Sequence, residues 1–461
     1  MNSIFYPSEL LYWSSIEWKS NENTVSRIQH RIAKATLKDD QRQIRNLQRL
    51  LIKSLSARLK AVRQVSQENT DRMTPGIDGD IWITSKSKLK AAFSLRKKTK
   101  TKPLCRIYKS KFKSYDRPLE SATMIDRAKQ ALWNFALNPV VNTLSNSISY
   151  KFRPYFSCWD ANLQIKDILS RKKEPKWVLN TGIQKCFKTI NYQSLLENTP
   201  IENKVFSSWL KSGILNSSAE FNNTLVGNYK RGVISQTLLT HVLNGLQQVL
   251  KDTFTYYKIK GPKKIISYSS KIRMIRYEDD FIVTGHSYRQ LERIMKIISD
   301  YLKLKGLDLY PEKTKIVNVH DGFHFLGWNF KKSKNGIVLC NISKQSIKDY
   351  KMKIRGIVKN SKNKTTSTLI TELNSVSRIW FNNHFCATNI LPVLNHTNQY
   401  LYKLLWKWVR KRHPRKSHFW IYDHYWKILD GRRTFLTLEN YKKIRLISLS
   451  LKTTKTNFIR I

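Results

Sequence analysis

The thirteen residues RMIRYEDDFIVTG (Arg273–Gly285) admit few backbone geometries. Two apolar runs, Met274–Ile275 and Phe281–Val283, flank three consecutive carboxylates, Glu278, Asp279 and Asp280. Apolar strands need burial, and a charged tip needs water or a counter-ion. The pattern therefore predicts a β-hairpin whose tip reaches the edge of a core. Short β-like runs such as KWVLN and FHFLGWNF recur between about 118 and 330, against the helical RQLERIMKIISDYLKLKG. Such alternation predicts an α+β fold.

The hairpin tip is acidic in a chain that is not. Lys and Arg number 84 against 32 Asp and Glu, a net charge of +52. Solubility alone does not require such a field, and the compact state repels itself unless a polyanion neutralises it; nucleic acid is the leading partner. No run of about 18 apolar residues exists, so no transmembrane helix and no membrane partner are expected. Five scattered cysteines form no C-x2-C pair, which argues against a zinc ribbon or a disulfide framework. The N-terminus carries Glu9, Glu17 and Glu22 and no Arg-rich presequence, and the chain is rich in Lys, Asn, Ile and Tyr. These features point to a protein encoded inside an organelle.

The 461 residues are too many for one compact core. Residues 25–62 read as two helices interrupted at Lys38-Asp39-Asp40, and TPGIDG (Thr74–Gly79) as the turn that ends them. Residues 81–115 hold twelve Lys or Arg and no acid, interleaved with apolar residues, and read in part as a basic strand or hairpin. After residue 340 the remainder reads as helical. LNHTNQYLYKLLWKWVRKRHP reads as one helix closed at Pro414, with Leu401, Leu404, Leu405 and Trp408 on one stripe and, on the other, Lys403, Lys407, Arg410 and Lys411 as a row of cations at phosphate-contact spacing that reads as RNA-binding. Arg412, His413 and Lys416 follow, with His413 read as structural or RNA-contacting; Trp420, Tyr422, Tyr425 and Trp426 read as core.

Six blocks in order resemble the proteins encoded by group II introns, which join a reverse transcriptase to a maturase domain. They are AVRQVSQENTDRMTPGIDG, RPLESATMIDRAKQAL (opening at Arg117), SYKFRP, RYEDDF, the pair GLDLYPEKTKIV and FHFLGWNF, and LWKWVRKRHPRKSHFWI. The resemblance implies right-hand reverse-transcriptase-like fingers and palm followed by a helical thumb and maturase domain X. The implied division is 1–80 as an N-terminal helical segment, 81–335 as fingers and palm, and 336–461 as thumb and domain X.

Polymerases of this class hold two Mg2+ ions on palm carboxylates. In the family one Asp comes from the Tyr-x-Asp-Asp hairpin, and the other, which touches both metals, opens a segment Asp-Ile-x-x-Cys-Phe. Alignment on Ile183, Cys186 and Phe187 sets Gly182 at that second position, and no Asp or Glu lies between Glu174 and Glu197. Asn180 stands where a second Asp is common. The nucleotide-pocket motif is replaced by YKRGVISQ, with Lys230 and Arg231 in place of Gln and Gly. Asp279 and Asp280 therefore read as a remnant pair neutralised by Arg273 and Arg276, with weak Mg2+ binding as the alternative. Lys313, which the family places near the nucleotide, reads as a phosphate contact, as does Arg117.

The resemblance implies a maturase that binds intron-containing RNA and assists its splicing. It needs no cofactor of its own beyond Mg2+ carried by the RNA, and helper splicing proteins are possible partners. The setting implied is the plastid, with the mitochondrion as alternative. The rival readings are an active RNA-directed DNA polymerase and a general basic nucleic-acid-binding protein.

Overall fold

The computed structural model describes residues 12–97, 100–107, 119–144, 158–171, 175–184, 199–215, 221–222, 232–259, 265–269, 272–429, 431–439 and 442–449. The chain opens with α1 (Trp18–Leu37), α2 (Gln41–Lys53) and α3 (Leu55–Arg63), followed by α4 (Ser85–Ser94). The expected break at 38–40 is present: Asp39 turns left-handed at φ 52°, and the Asp40 carboxylate accepts from Gln43 N to cap α2. The expected second helix is itself two. Ser54 is extended (φ −64°, ψ 130°), which ends α2 and starts α3. These helices pack on α5 (Met124–Leu144) through Val25, Ile32, Leu51, Leu132 and Ala136. In the basic 81–115 stretch, α4 supplies a helix and β1 (Leu104–Ile107) a strand. β1 pairs antiparallel with β2 (Leu119–Ser121) and parallel with β4 (Ile214–Leu215), which in turn pairs with β5 (Phe221–Asn222).

The central sheet is built from β3 (Trp177–Gln184), the hairpin β8 (Arg273–Tyr277) and β9 (Asp280–Gly285), β10 (Asp308–Leu309) and β11 (Lys315–Asn318). Its order is β10-β3-β9-β8, with β11 also paired to β3. Side chains alternate across it. Val178, Ile275 and Ile282 enter one core, shared with α6 (Cys158–Ser170) and the C-terminal elements. Leu179, Ile183, Met274, Phe281 and Val283 enter the other, with α7 (Asn203–Leu210), α8 (Ser235–Leu243), α9 (Leu246–Phe254) and α10 (Tyr288–Leu304). A separate hairpin joins β6 (Thr255–Ile259) to β7 (Ile265–Ser269).

The chain then forms a three-stranded meander of β12 (Phe323–Phe325), β13 (Trp328–Lys332) and β14 (Val338–Ile342), with Leu326 and Gly327 both at positive φ in the tight turn. Three long helices follow: α11 (Lys344–Asn360), α12 (Thr366–His384) and α13 (Ile390–Arg412). Ser343 and Thr365 cap the first two. Ser417 caps α14 (His418–Tyr425). The remainder is not wholly helical as expected: β15 (Trp426–Leu429), β16 (Arg432–Glu439) and β17 (Lys442–Arg445) close the described chain as an antiparallel sheet. Its Trp426 and Phe435 join the core beneath α12–α14. Among the described residues no helix is long and apolar enough to cross a membrane.

Candidate functional site

The hairpin forms as its pattern requires. Tyr277 pairs with Asp280 across a two-residue loop of Glu278 and Asp279. Glu278 sits at φ 59°, the left-handed conformation that a type II′ turn needs at its first central residue and that glycine usually supplies. β3 lies antiparallel to β9 in a register that sets Gly182 directly opposite Asp280. Ile183 N donates to Asp279 O at 3.0 Å, so the tip is tied to β3 through the backbone.

What faces Asp280 is therefore a hydrogen atom. A Cβ at position 182 would lie 2.6 Å from Asp280 Oδ1, 3.5 Å from Asp279 O and 3.6 Å from Lys313 Cδ. The carboxylate's partner comes from the loop between β10 and β11: Lys313 Nζ donates to Asp280 Oδ1 at 3.1 Å. That loop is tied down by Tyr310 N donating to Gly182 O at 2.8 Å and by a 2.6 Å hydroxyl contact between Thr181 and Thr314. Burial pushes the Asp280 carboxyl above its usual range, and Lys313 pulls it part of the way back.

The expected counter-ions, Arg273 and Arg276, do not serve. Arg273 pairs across from Thr284, at the far end of the strand from Asp280. Arg276 alternates onto the opposite face of the sheet, where it is 6 % exposed. Burial lowers its guanidinium to about 10 against the favourable influence of Tyr301. Lys313 thus lies at the palm, paired to a carboxylate in this structure. Asn180 likewise has a structural use, its Nδ2 donating to His324 O at 2.8 Å and joining β3 to β12. Among the described residues no group of three His, Cys, Asp or Glu side chains could hold a metal ion. The described residues of the two facing strands do not fit a two-Mg2+ centre: one strand offers glycine, and the other's carboxylate is held by an ammonium.

From Lys313 a cleft of about 1300 Å³ runs between the β12–β14 meander and helices α11 and α12. His384 stands in its wall, stacked between Trp328 and Trp380 at 6.2 and 5.1 Å. Its Nδ1 lies 2.7 Å from Trp380 O, so it carries the proton there, and its Nε2 accepts from Ser346 Oγ at 3.1 Å. Burial lowers its pKa.

On α13, Leu401, Leu405 and Trp408 are buried at 5, 1 and 7 %, and Leu404 is half-buried. Trp408 Nε1 donates to Ser361 O at 3.1 Å. The other face carries Lys403, Lys407, Arg410 and Lys411, all exposed. Arg410 Nη1 lies 2.8 Å from His418 Nε2. Arg412 turns back over the Trp408 ring and donates to Lys364 O, and Lys416 lies 5.1 Å from the Trp420 ring. His413 Nε2 lies 2.8 Å from Tyr425 Oη, a structural contact. Of the four aromatics expected as core, Tyr425 and Trp426 are buried, whereas Trp420 and Tyr422 are half-exposed. Arg117, Lys230 and Arg231 lie outside the described residues. Sequence reasoning misses a second basic row, Lys344, Lys348, Lys351, Arg355 and Lys359 on α11. Its steps of four, three, four and four are the signal that finds it; Lys353, out of step, obscures it.

Comparison with known proteins agrees with this architecture. Residues 13–95 match the N-terminal domain of reverse transcriptase, and residues 96–330, just over half the chain, match reverse transcriptase (RNA-dependent DNA polymerase). Residues 347–426 match the group II intron maturase-specific domain. The chain is 25 % identical over 268 residues to an uncharacterized 91 kDa protein in the cob intron of Schizosaccharomyces pombe, covering 48 % of this chain and 33 % of that one. It is 24 % identical over 350 residues to maturase-like protein 1 of Euglena gracilis, covering 72 % and 69 %. With the group II intron-encoded protein LtrA of Lactococcus lactis it shares 23 % identity, over 51 % and 48 %. The chain thus spans a third of the fission-yeast protein and about half of the Lactococcus protein. With its palm hairpin followed by a maturase-specific segment built on three long helices, the chain belongs to the group II intron reverse transcriptase/maturase family.

Proposed function

We propose that this protein is an organelle-encoded maturase, of plastid origin, that binds intron RNA and assists its splicing without DNA synthesis. The observation that carries the reading is the β3–β9 register, which sets Gly182 across from Asp280 while Lys313 holds that carboxylate. Phosphoryl transfer by two metals relies on carboxylates that bring both ions to the reacting phosphate. The exposed row Lys403, Lys407, Arg410 and Lys411, in the segment that matches the maturase-specific domain, supports phosphate binding and so recognition rather than chemistry. In this reading the RNA performs the transesterification, and the protein stabilises its competent fold by binding it better than its misfolded forms. Arg412 and Lys416 extend the same basic surface.

Two measurements test it. Primer extension with Mg2+ gives no more DNA product for the wild type than for the Asp279→Asn/Asp280→Asn protein. In intron rescue, that double variant splices at nearly the wild-type rate, whereas replacing Lys403, Lys407, Arg410 and Lys411 by Gln cripples splicing with the protein still folded, since Gln is a comparable helix former. The reverse pattern refutes the proposal: splicing abolished by the Asn pair and kept with the Gln quartet, or template-dependent synthesis above the double variant.

A further inference from the structure

Helices α11 and α13 lie side by side and run parallel. Lys351 Nζ contacts His396 Nε2 and lies 5.1 Å from the centre of the Tyr400 ring, while ten residues on, Ser361 O accepts from Trp408. Between the helices opens a groove of about 310 Å³. Its apolar lining is Ile347, Met352 and Tyr400, and its rim is Lys344, Lys348 and Arg355, with Lys351 beside the tyrosine. It lies on the other flank of α11 from the large cleft, and the two meet at Lys344 and Ile347. Among the described residues none of these four rim cations, nor Lys359 beyond them, is in an ion pair, and α13 contains no acid at all.

The geometry points to a binding site for one strand of RNA along this groove, with a nucleotide seated on Tyr400 and Met352 and its flanking phosphates on Lys348 and Arg355. The inference rests on the RNA-binding reading above and adds to it a surface separate from the α13 quartet. Three features carry it. The row from Lys344 to Lys359 spans fifteen residues of helix, about 22 Å, along which one strand of a nucleic acid presents on the order of six phosphates. The groove combines cations at the rim with an aromatic face inside, the pairing that binds single-stranded nucleic acid: backbone in the charged track, base on the ring. A rim of four cations with no ion-paired acid among the described residues also favours a polyanion over an ordinary protein partner.

The test uses the full chain and two probes, a short labelled oligouridylate and a blunt RNA duplex, each titrated over a range of salt. Lys348→Gln/Arg355→Gln lowers the log–log salt slope for oligouridylate by about 1.4, roughly 0.7 for each phosphate no longer neutralised. Lys348→Arg/Arg355→Lys restores it. Tyr400→Leu leaves the slope unchanged but weakens oligouridylate roughly 5- to 150-fold, the range for removing one stacked base, and leaves duplex affinity alone. Thermal unfolding at the wild-type temperature certifies each variant. A double variant that keeps the wild-type slope and affinity overturns the groove site, as does a Tyr400→Leu protein weakened equally for both probes. If the groove variants bind normally while the Gln quartet on α13 does not, the groove falls and the RNA-binding reading stands. If the wild type binds neither probe, both fall.

Discussion

Replacing Gly182 by Asp places a third carboxylate against Asp279 and Asp280, with one cation among the described residues, Lys313, in reach. The new Cβ starts 2.6 Å from Asp280 Oδ1, so the Asp280 side chain must rotate and its 3.1 Å bond to Lys313 must lengthen or break. Two carboxylates about 4 Å apart repel by about 1 kcal/mol in water and about 4 kcal/mol where the effective dielectric is near 20. Asp280 is 33 % exposed and Lys313 55 % exposed, which puts the site between these limits and discounts the ion pair to below ~1 kcal/mol. A destabilisation of roughly 2–3 kcal/mol follows in chelator, measured by urea unfolding. Millimolar Mg2+ recovers part of it, because three convergent carboxylates make an oxygen site for a hard cation. DNA synthesis does not return, since Lys230 and Arg231 still replace the pocket residues that the resemblance assigns to the nucleotide. A Gly182→Asp protein as stable as the wild type without divalent ion would refute the geometry, and one that extends a primer would refute the functional reading.

Two further outcomes follow from the packing of the C-terminal helices. Burial lowers the pKa of His384 below its ordinary 6.5, so the unfolded chain takes up a proton that the folded chain refuses; stability is full above pH 6.5 and falls as pH drops below it. His384→Asn flattens that dependence in urea midpoints collected across the acid limb, at some cost in overall stability; an unchanged slope would show that His384 is not the group responsible. Trp408→Ala removes a 7 % exposed ring and its hydrogen bond to Ser361 O and costs about 3–5 kcal/mol. A change within about 0.5 kcal/mol in equilibrium unfolding would contradict its place in the core.

The parts of this fold that sequence exposes are those governed by short-range pattern. The Arg273–Gly285 hairpin is set by apolar runs on either side of charged residues, and α13 by an apolar stripe repeated over its C-terminal turns. What escapes depends on contacts between distant residues or on faces of a sheet. Lys313 reaches Asp280 across 33 residues, and the pairing of both β10 and β11 with β3 brings the loop between them there. Arg276 is four residues from Asp280 in sequence and so looks close to the tip, yet strand alternation sends it to the other face. The β15–β17 sheet hides behind the long helices that precede it, although Asp430-Gly431 is a turn signal. The Gly182–Asp280 juxtaposition is half legible: the missing carboxylate is a matter of sequence, the cation that holds its partner is not.

Helix α13 has no acidic residue in 23 positions, and Lys403, Lys407 and Lys411 follow one another at a spacing of four. Like charges so placed weaken a helix by about 0.2–0.5 kcal/mol a pair. The helix therefore leans on its buried stripe and lacks the internal counter-charge that most surface helices carry. Any polyanion that binds its outer face supplies that charge and is linked by mass action to the folded state. Under the proposed RNA-binding function, molecules made in excess of the available RNA lack that stabilisation and are the first exposed to proteolysis, so the amount that survives is metered by the amount of partner present.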